Sequence, residues 1–143
     1  MKLITCLVLV AASALLAACG GDDESSSEPL TKAEFLTQGN AICAEANKEI
    51  GAAIEEIPSE PDEAQLESFT SDTFVPNIQG QLDDLGDLGP PEGDEEKVDA
   101  IIGSAQEALD KVEDDPSLLL SNDDPFNESY DLAENYGLEE CAG

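Results

Sequence analysis

Residues 94–112, DEEKVDAIIGSAQEALDKV, contain the clearest structural pattern in the chain. Apolar side chains recur there every three or four residues, which is the spacing of one face of an α-helix. Three acids open the stretch, where they suit the positive end of a helix dipole, and Pro116 follows it as a stop. We therefore predict an amphipathic helix whose apolar face consists of Val98, Ile101, Ile102, Ala105, Leu109 and Val112.

The same spacing occurs upstream, from about residue 32 to residue 56. Thr31 and Glu34 have the spacing of a capping box, in which each side chain bonds the backbone N–H of the other residue. Pro58 ends the pattern, because proline cannot continue a helix. We predict one long helix with Cys43 near its apolar face, and a stripe of Phe35, Ile42, Ala46, Ile50, Ala53, Ile54 and Ile57.

A further helical stretch, from residue 61 to residue 85, is interrupted by Pro76. Because proline lacks an N–H and crowds the preceding turn, we predict a kink there or a break into two shorter helices. Glycines and prolines between residues 86 and 91 end the stretch. Its apolar stripe consists of Leu66, Phe69, Val75, Ile78, Leu82 and Leu85.

The last part of the chain predicts a short turn and a short helix. Residues 118–120 are three leucines, which we expect to form a helical turn over the core. Asp124 followed by Pro125 is a strong helix start, and Gly137 followed by Leu138 is typical of a left-handed helix end. The helix between them would bury Phe126, Tyr130, Ala133 and Tyr136.

No segment alternates between apolar and polar residues as a strand does. The sequence therefore predicts an all-α fold, with an up-and-down bundle of three long helices and a short C-terminal helix over residues 30–143.

The N-terminus has the pattern of an export signal. Lys2 precedes the apolar run of residues 3–16, which is shorter than the roughly 20 residues that a spanning helix needs. The run ends in Leu16-Ala17-Ala18-Cys19, which looks like a bacterial lipobox. We predict a signal peptide at residues 1–18 that is removed, lipid on Cys19, and a flexible acidic tether at residues 19–29. The alternative is an ordinary secretory signal in which Cys19 occurs by chance.

The four cysteines divide by position. Cys6 would leave with the signal peptide and Cys19 would carry lipid, so Cys43 and Cys141 remain in the exported domain. A disulfide is the default for two cysteines in an oxidising compartment. A redox or metal pair is the alternative, but the chain has no histidine and no closely spaced cysteine pair. We predict a Cys43–Cys141 disulfide.

The composition is extremely acidic. The chain has 34 acidic residues against five lysines, with no arginine and no histidine. Such a surface repels phosphate backbones, which argues strongly against nucleic-acid binding. Either the acids form a surface for a cationic partner, or they are a solvated face of the kind seen in proteins adapted to high salt.

Three blocks of sequence together resemble small lipoproteins of high-GC Gram-positive bacteria. The blocks are residues 30–43 (LTKAEF followed by NAIC), residues 89–96 (GPPEGDEE) and residues 124–141, from DPF through YGL to the last cysteine. The resemblance spans most of the predicted mature chain and contains no named catalytic motif. It implies a compact helical domain, bridged by Cys43 and Cys141, at the cell envelope, and it implies nothing about a ligand.

We find no catalytic constellation in the sequence and predict that the protein is not an enzyme and uses no cofactor. Serines and threonines have no histidine base, and no pair of carboxylates stands out among so many. Asp123, Asp124 and Glu128 offer oxygen ligands for calcium, but they lack the spacing and the glycine of an EF-hand loop. We predict no specific metal site and a diffuse cloud of divalent cations.

Two functions remain open. The first is a non-catalytic, lipid-anchored interaction or structural module on the extracytoplasmic face of the cell membrane. The second is a binding protein that takes a small or cationic ligand in a groove between helices.

Overall fold

The computed structural model describes residues 29–143, and this part of the chain is helical with no strand. The predicted signal peptide, Cys19 and the tether up to residue 28 lie outside the described residues. The α-helices are α1 (Lys32–Glu55), α2 (Glu63–Phe69), α3 (Val75–Asp87), α4 (Glu95–Asp114) and α5 (Asn127–Tyr136). Three shorter segments are a π-helical turn at Thr70–Phe74 and 3₁₀ turns at Pro116–Leu120 and Glu139–Cys141.

Helix α1 begins at the predicted capping box. The backbone N–H of Glu34 donates to Thr31 Oγ1 at 3.3 Å, and the N–H of Thr31 donates to Glu34 Oε2 at 3.0 Å. The Thr31 hydroxyl also donates to Glu34 Oε2 at 2.6 Å. This bond and that from the N–H of Thr31 favour the charged carboxylate and lower the pKa of Glu34. The helix ends at Glu55, with Glu56 as its cap, so both predicted ends are confirmed.

The buried face of α1 differs from the predicted stripe. It consists of Phe35, Gly39, Cys43 and Ala46, whereas Ile42 is only half-buried. Beyond Ala46 no residue of α1 is fully buried, and Ile54 is 53% exposed. The reason is that the last turns of α1 extend past the closely packed core, so their apolar side chains lie at its edge.

The predicted interruption at Pro76 is confirmed and has a definite form. Helix α2 is capped by Asp62, whose side chain accepts from the N–H of Gln65 at 2.9 Å. The π-helical turn then follows, and the N–H of Val75 donates to the carbonyl of Thr70, five residues back. Because Pro76 has no N–H to continue the α-helical ladder, one wider turn separates α2 from α3.

Helix α4 matches its prediction at both ends and buries most of the predicted face. The leucine turn that follows it is a 3₁₀ turn, as expected of a short helical piece. Leu118 and Leu119 pack against the core, but Leu120 is 61% exposed. The expectation that all three leucines cover the core was therefore wrong for Leu120, because one turn cannot direct three consecutive side chains to the same face.

Helix α5 begins two residues after the predicted Pro125 start. The predicted cap at Asp124 was therefore wrong, because residues 125 and 126 form a turn before the helix and its N-cap is Phe126, which makes no side-chain cap bond. Asp124 Oδ1 instead accepts from the N–H of Phe126 at 2.9 Å within that turn. At the other end Gly137 adopts φ 108°, and the N–H of Leu138 donates to the carbonyl of Ala133 at 2.9 Å. This is the predicted left-handed helix end, with Leu138 fully buried as its apolar partner.

Two apolar clusters form the core. One surrounds Phe35 of α1 and Tyr136 of α5, whose rings meet edge to face at 6.1 Å. The other surrounds Leu109 of α4 and Phe126, with Phe74 packed against it. Helix α1 packs against α3, α3 against α4, and α4 against α5. The core is therefore formed by helices from both the N-terminal and the C-terminal halves of the domain.

The two cysteines that the sequence pairs are adjacent in the fold. Cys43 and Cys141 have Cα atoms 5.1 Å apart and sulfur atoms in disulfide geometry. Asn40 and Asn47 hold the same C-terminal turn: Asn40 Nδ2 donates to the carbonyl of Gly137 at 3.1 Å, and Asn47 Nδ2 donates to that of Glu140 at 2.6 Å. The chain end is thus fixed to α1 by one covalent link and a set of amide hydrogen bonds.

Candidate functional site

Asp123, Asp124 and Glu128, the possible calcium ligands that the sequence offers, lie in the turn before α5 and in its first turn. Asp124 Oδ1 accepts from the N–H of Phe126 at 2.9 Å, and the backbone carbonyl of Asp123 accepts from Ser121 Oγ at 2.6 Å. Within residues 29–143 no three acidic or cysteine side chains lie together in a way that could hold a metal ion. Of the other predicted site residues, Cys43 and Cys141 form the bridge described above, and Cys19 lies outside the described part of the chain.

The most distinctive surface feature is an apolar groove of about 310 Å³ at the end of α1. It contains both of the large apolar side chains that are exposed in the described part of the chain, Ile54 and Leu120. We call it the apolar groove; its apolar lining includes Ile54, Ile57, Leu66, Phe69, Phe74, Leu119 and Leu120.

Local sequence explains how this groove forms. Pro58 turns the chain into the loop before α2, and at this end of α1 Ile54 is 53% exposed while Ile57 is half-buried. The π-helical turn directs Phe69 and Phe74 to the same side, with ring centroids 6.2 Å apart. The leucine turn after α4 supplies the opposite wall. Wider π-type turns are frequent at functional sites, which makes this end of the molecule a candidate site.

A second groove, of about 620 Å³, adjoins the first and is acidic. It shares Ile57, Pro58 and Phe69 with the apolar groove. Glu56, Asp62 and Asp72 also line it, and we call it the acidic groove. Among the described residues no lysine lines either groove. The last turn of α1 also has no basic residue, and Glu55 and Glu56 lie at its negative end.

A third groove, of about 290 Å³, runs between α1 and α3. Its charged walls are Glu45, Glu49 and Asp84. Asn77 Nδ2 donates to Glu49 Oε2 at 2.9 Å, while the buried Oδ1 of Asn77 has no hydrogen-bond partner. This groove combines apolar side chains with carboxylates and amides, so its chemistry suits a small cation.

The opposite end of α1 contains a basic cluster around one carboxylate. Asp94 pairs with Lys97 and lies 3.5 Å from the ammonium of Lys32, which also sits 4.0 Å from the ring centroid of Tyr136. The hydroxyl of Tyr136 donates to Asp94 Oδ2 at 3.1 Å. The hydrogen bond from Lys97 lowers the pKa of Asp94, and desolvation of the carboxylate opposes this shift in part. Burial and the neighbouring carboxylate raise the pKa of Tyr136 to about 12.

Sequence reasoning missed the two grooves at the end of α1. The helical spacing predicts Ile54 and Ile57 on the apolar stripe of α1, and the sequence predicts a leucine turn at residues 118–120 over the core. A usable signal was nevertheless present, because Ile57 follows two glutamates and precedes Pro58, where little of a helix remains to bury it.

Comparisons with known proteins add no assignment. No protein-family model matches the chain, and no curated protein or solved structure matches it either. In residues 29–143 no helix has both the length and the apolarity to cross a bilayer.

Proposed function

We propose that this chain is a non-catalytic, lipid-anchored module of the bacterial cell envelope that binds a protein partner. The observation that carries the proposal is the apolar groove, where Ile54 and Leu120 are exposed together on an otherwise strongly acidic surface. Apolar side chains that gather in one exposed place mark an interaction site more often than isolated ones do.

The anchor in this proposal is the lipid on Cys19, after removal of residues 1–18. The lipobox pattern supports it, as does the resemblance to small lipoproteins of high-GC Gram-positive bacteria. The protein would then stand on the extracytoplasmic face of the membrane, with residues 19–29 as its tether.

The proposed architecture is an up-and-down bundle, which determines where the groove points. The approach of Lys32 to Asp94 supports α1 and α4 starting at the same end, and the apolar groove joins the ends of these two helices. With 24 residues at about 1.5 Å each, α1 separates the tether from the groove by roughly 36 Å. The groove would therefore face away from the membrane.

The anchor is tested by the intact mass of the protein extracted from membranes. The mass should correspond to a chain that begins at Cys19 and carries acyl groups. A Cys19→Ala variant should remain unprocessed or be released from the membrane. Normal processing and membrane retention of that variant would refute the lipid anchor.

The interaction is tested by photo-crosslinking in the native membrane. A photoreactive amino acid replaces Leu120 in the apolar groove and, as a matched control, Glu107 on the exposed side of α4. We expect a discrete crosslinked protein from position 120 that is absent from position 107. Equal products from the two positions, or none, would refute an interaction at the groove.

A second candidate function is the binding of a small cationic ligand between α1 and α3. The carboxylates of Glu45, Glu49 and Asp84 along that groove support it. Spermidine is a suitable probe in calorimetry, with Glu49→Gln and Asp84→Asn as test changes and Asp99→Asn with Glu107→Gln as the control pair. Equal losses of binding from the two pairs would indicate general charge attraction and exclude a site there.

A further inference from the structure

The apolar groove and the acidic groove are two parts of one surface. They share Ile57, Pro58 and Phe69, so a chain lying across these residues would contact both. One part offers exposed apolar side chains, and the other offers the carboxylates of Glu56, Asp62 and Asp72. A segment that fills both must present apolar side chains toward one groove and positive charges toward the other.

The electrostatic environment at the C-terminal end of α1 also favours a positively charged ligand. The C-terminal end of a helix carries a partial negative charge that cations stabilise and anions oppose. Here Glu55 and Glu56 lie at that end with no basic residue in the last turn. A cation bound beside Glu56 would relieve this repulsion, so complex formation would gain free energy from a contact that is unfavourable in the free protein.

Other occupants fit poorly. A second copy of the chain would place the same carboxylates against each other in a two-fold interface, and like charges in that position oppose association. The predicted tether is acidic and has no large apolar side chain, so it matches neither groove. Anionic headgroups of a bilayer would be repelled by the same acids.

We propose that the apolar groove and the acidic groove form a composite site for a cationic amphipathic segment of a partner protein. This inference rests on the proposed interaction function and specifies the chemistry of the partner. Apolar side chains of the segment pack on Ile54, Phe69 and Leu120, and its lysines or arginines lie over Glu56 and Asp72. Apolar contact supplies most of the affinity, and charge supplies selectivity and the rate of association.

The experiment measures binding of three synthetic peptides to the protein as purified from the cell and reconstituted in nanodiscs. The first peptide is an amphipathic sequence of leucine and lysine. The second has glutamate in place of each lysine, and the third has serine in place of each leucine. We expect the first peptide to bind in a one-to-one complex and each of the others to bind at least about tenfold more weakly. Equal binding of the leucine–glutamate peptide would overturn the proposal.

Variants locate the binding. Ile54→Gln with Leu120→Gln should weaken the first peptide by about tenfold or more at every salt concentration, since apolar contact is not screened. Both side chains are largely exposed, so the fold should persist, and Leu120→Gln alone should give a smaller loss in the same direction. Ala44→Gln, on an exposed position of α1, is the control and should change nothing. Unchanged binding by the double variant would overturn the proposal.

Charge variants distinguish attraction at the acidic groove from attraction to the acidic surface as a whole. Glu56→Gln with Asp72→Asn should weaken binding by about threefold to tenfold at low salt, and the difference should vanish near about 0.5 M NaCl. Asp99→Asn with Glu107→Gln removes the same charge from exposed positions of α4. Equal losses from the two pairs would mean diffuse attraction and would overturn the composite site.

The outcomes also distinguish this inference from the function on which it rests. A crosslink from position 120 together with failure of the peptide tests would overturn the cationic segment and leave the interaction module standing. Absence of that crosslink would overturn the interaction module, whatever the peptides do.

Discussion

At the scale of single residues, glycine has opposite roles in different helices. A Cβ built on Gly39 would lie 2.7 Å from Leu138 Cδ2 and 3.2 Å from Leu85 Cδ2. The absence of a side chain at Gly39 therefore lets α1 pack directly against Leu138, which is buried near the C-terminus. Gly51 and Gly103 are also inside helices, but a Cβ at either position meets nothing within 4 Å.

We therefore predict that Gly51→Ala and Gly103→Ala each stabilise the protein by roughly 0.5–1 kcal/mol, because alanine loses less backbone entropy in a helix. Gly39→Ala has the same gain but overpacks a filled site, and it should destabilise by about 1 kcal/mol or more. Denaturant unfolding of the three variants measures the difference. A stabilised Gly39→Ala protein would show that Leu138 moves aside freely.

A second prediction at the residue scale concerns the contribution of Tyr136 to stability and its dependence on pH. Its folded-state pKa is raised from 10.0 to about 12, so its hydroxyl contributes stability that is complete below pH 10 and is lost as the pH rises toward 12. Tyr136→Phe keeps the ring against Phe35 and Lys32 but removes the bond to Asp94. The variant should melt a few degrees lower at neutral pH, and the gap should close by about pH 12. Melts across this range measure it, and a constant gap would contradict the assignment.

At the scale of secondary-structure elements, the sequence predicted where helices begin and end better than it predicted what packs against them. The capping box at Thr31 and the left-handed cap at Gly137 depend on neighbouring residues only, and both were correctly predicted. Pro76 showed where the ladder breaks, but not that a π-helical turn would replace it. The packing of Phe69 against Phe74, whose ring centroids lie 6.2 Å apart across that turn, is not visible in the local sequence.

The candidate site could not be predicted for a related reason. Helical periodicity shows which side of a helix is apolar, but not whether another element covers it. Ile54 continues the stripe of α1 as well as Ala46 does, yet only Ala46 is buried. The difference arises because the chain turns away at Pro58 and returns through a loop, which is tertiary information. Likewise, Asn40 has no distinctive local pattern, although its side chain bonds the chain end about 100 residues away.

The C-terminal turn supports an element-scale prediction about the disulfide. The Cys43–Cys141 link spans 98 residues, and losing such a long-loop bridge from a small exported domain typically costs about 2–5 kcal/mol. Reduction, or the double change Cys43→Ala with Cys141→Ala, should lower the melting temperature markedly. Non-reducing peptide mapping should recover the linked peptides. Two free thiols in the protein as isolated from its native cells would contradict the pairing.

At the scale of the whole molecule, charge opposes the fold almost everywhere. Residues 29–143 contain 30 of the acidic residues and four lysines. In this part of the chain the ion pairs formed by Lys32 and Lys97 both use Asp94, at the start of α4. Among residues 29–143, most other carboxylates therefore have no lysine within ion-pair distance. The domain depends on a modest core and one disulfide to offset this repulsion.

The last prediction follows from that imbalance. Raising salt from about 0.01 M to about 1 M shortens the Debye length from about 30 Å to about 3 Å, which screens the mutual repulsion of the acids. Helicity and melting temperature should therefore rise with NaCl, and calcium and magnesium should act at lower concentrations without strong preference between them. Melts followed by circular dichroism, in series matched for ionic strength, measure this. A flat response would remove repulsion as a determinant of stability. Sharp, stoichiometric stabilisation by micromolar calcium alone would instead indicate a specific site, with Asp123, Asp124 and Glu128 as the first residues to change, because screening by itself cannot distinguish two ions of equal charge.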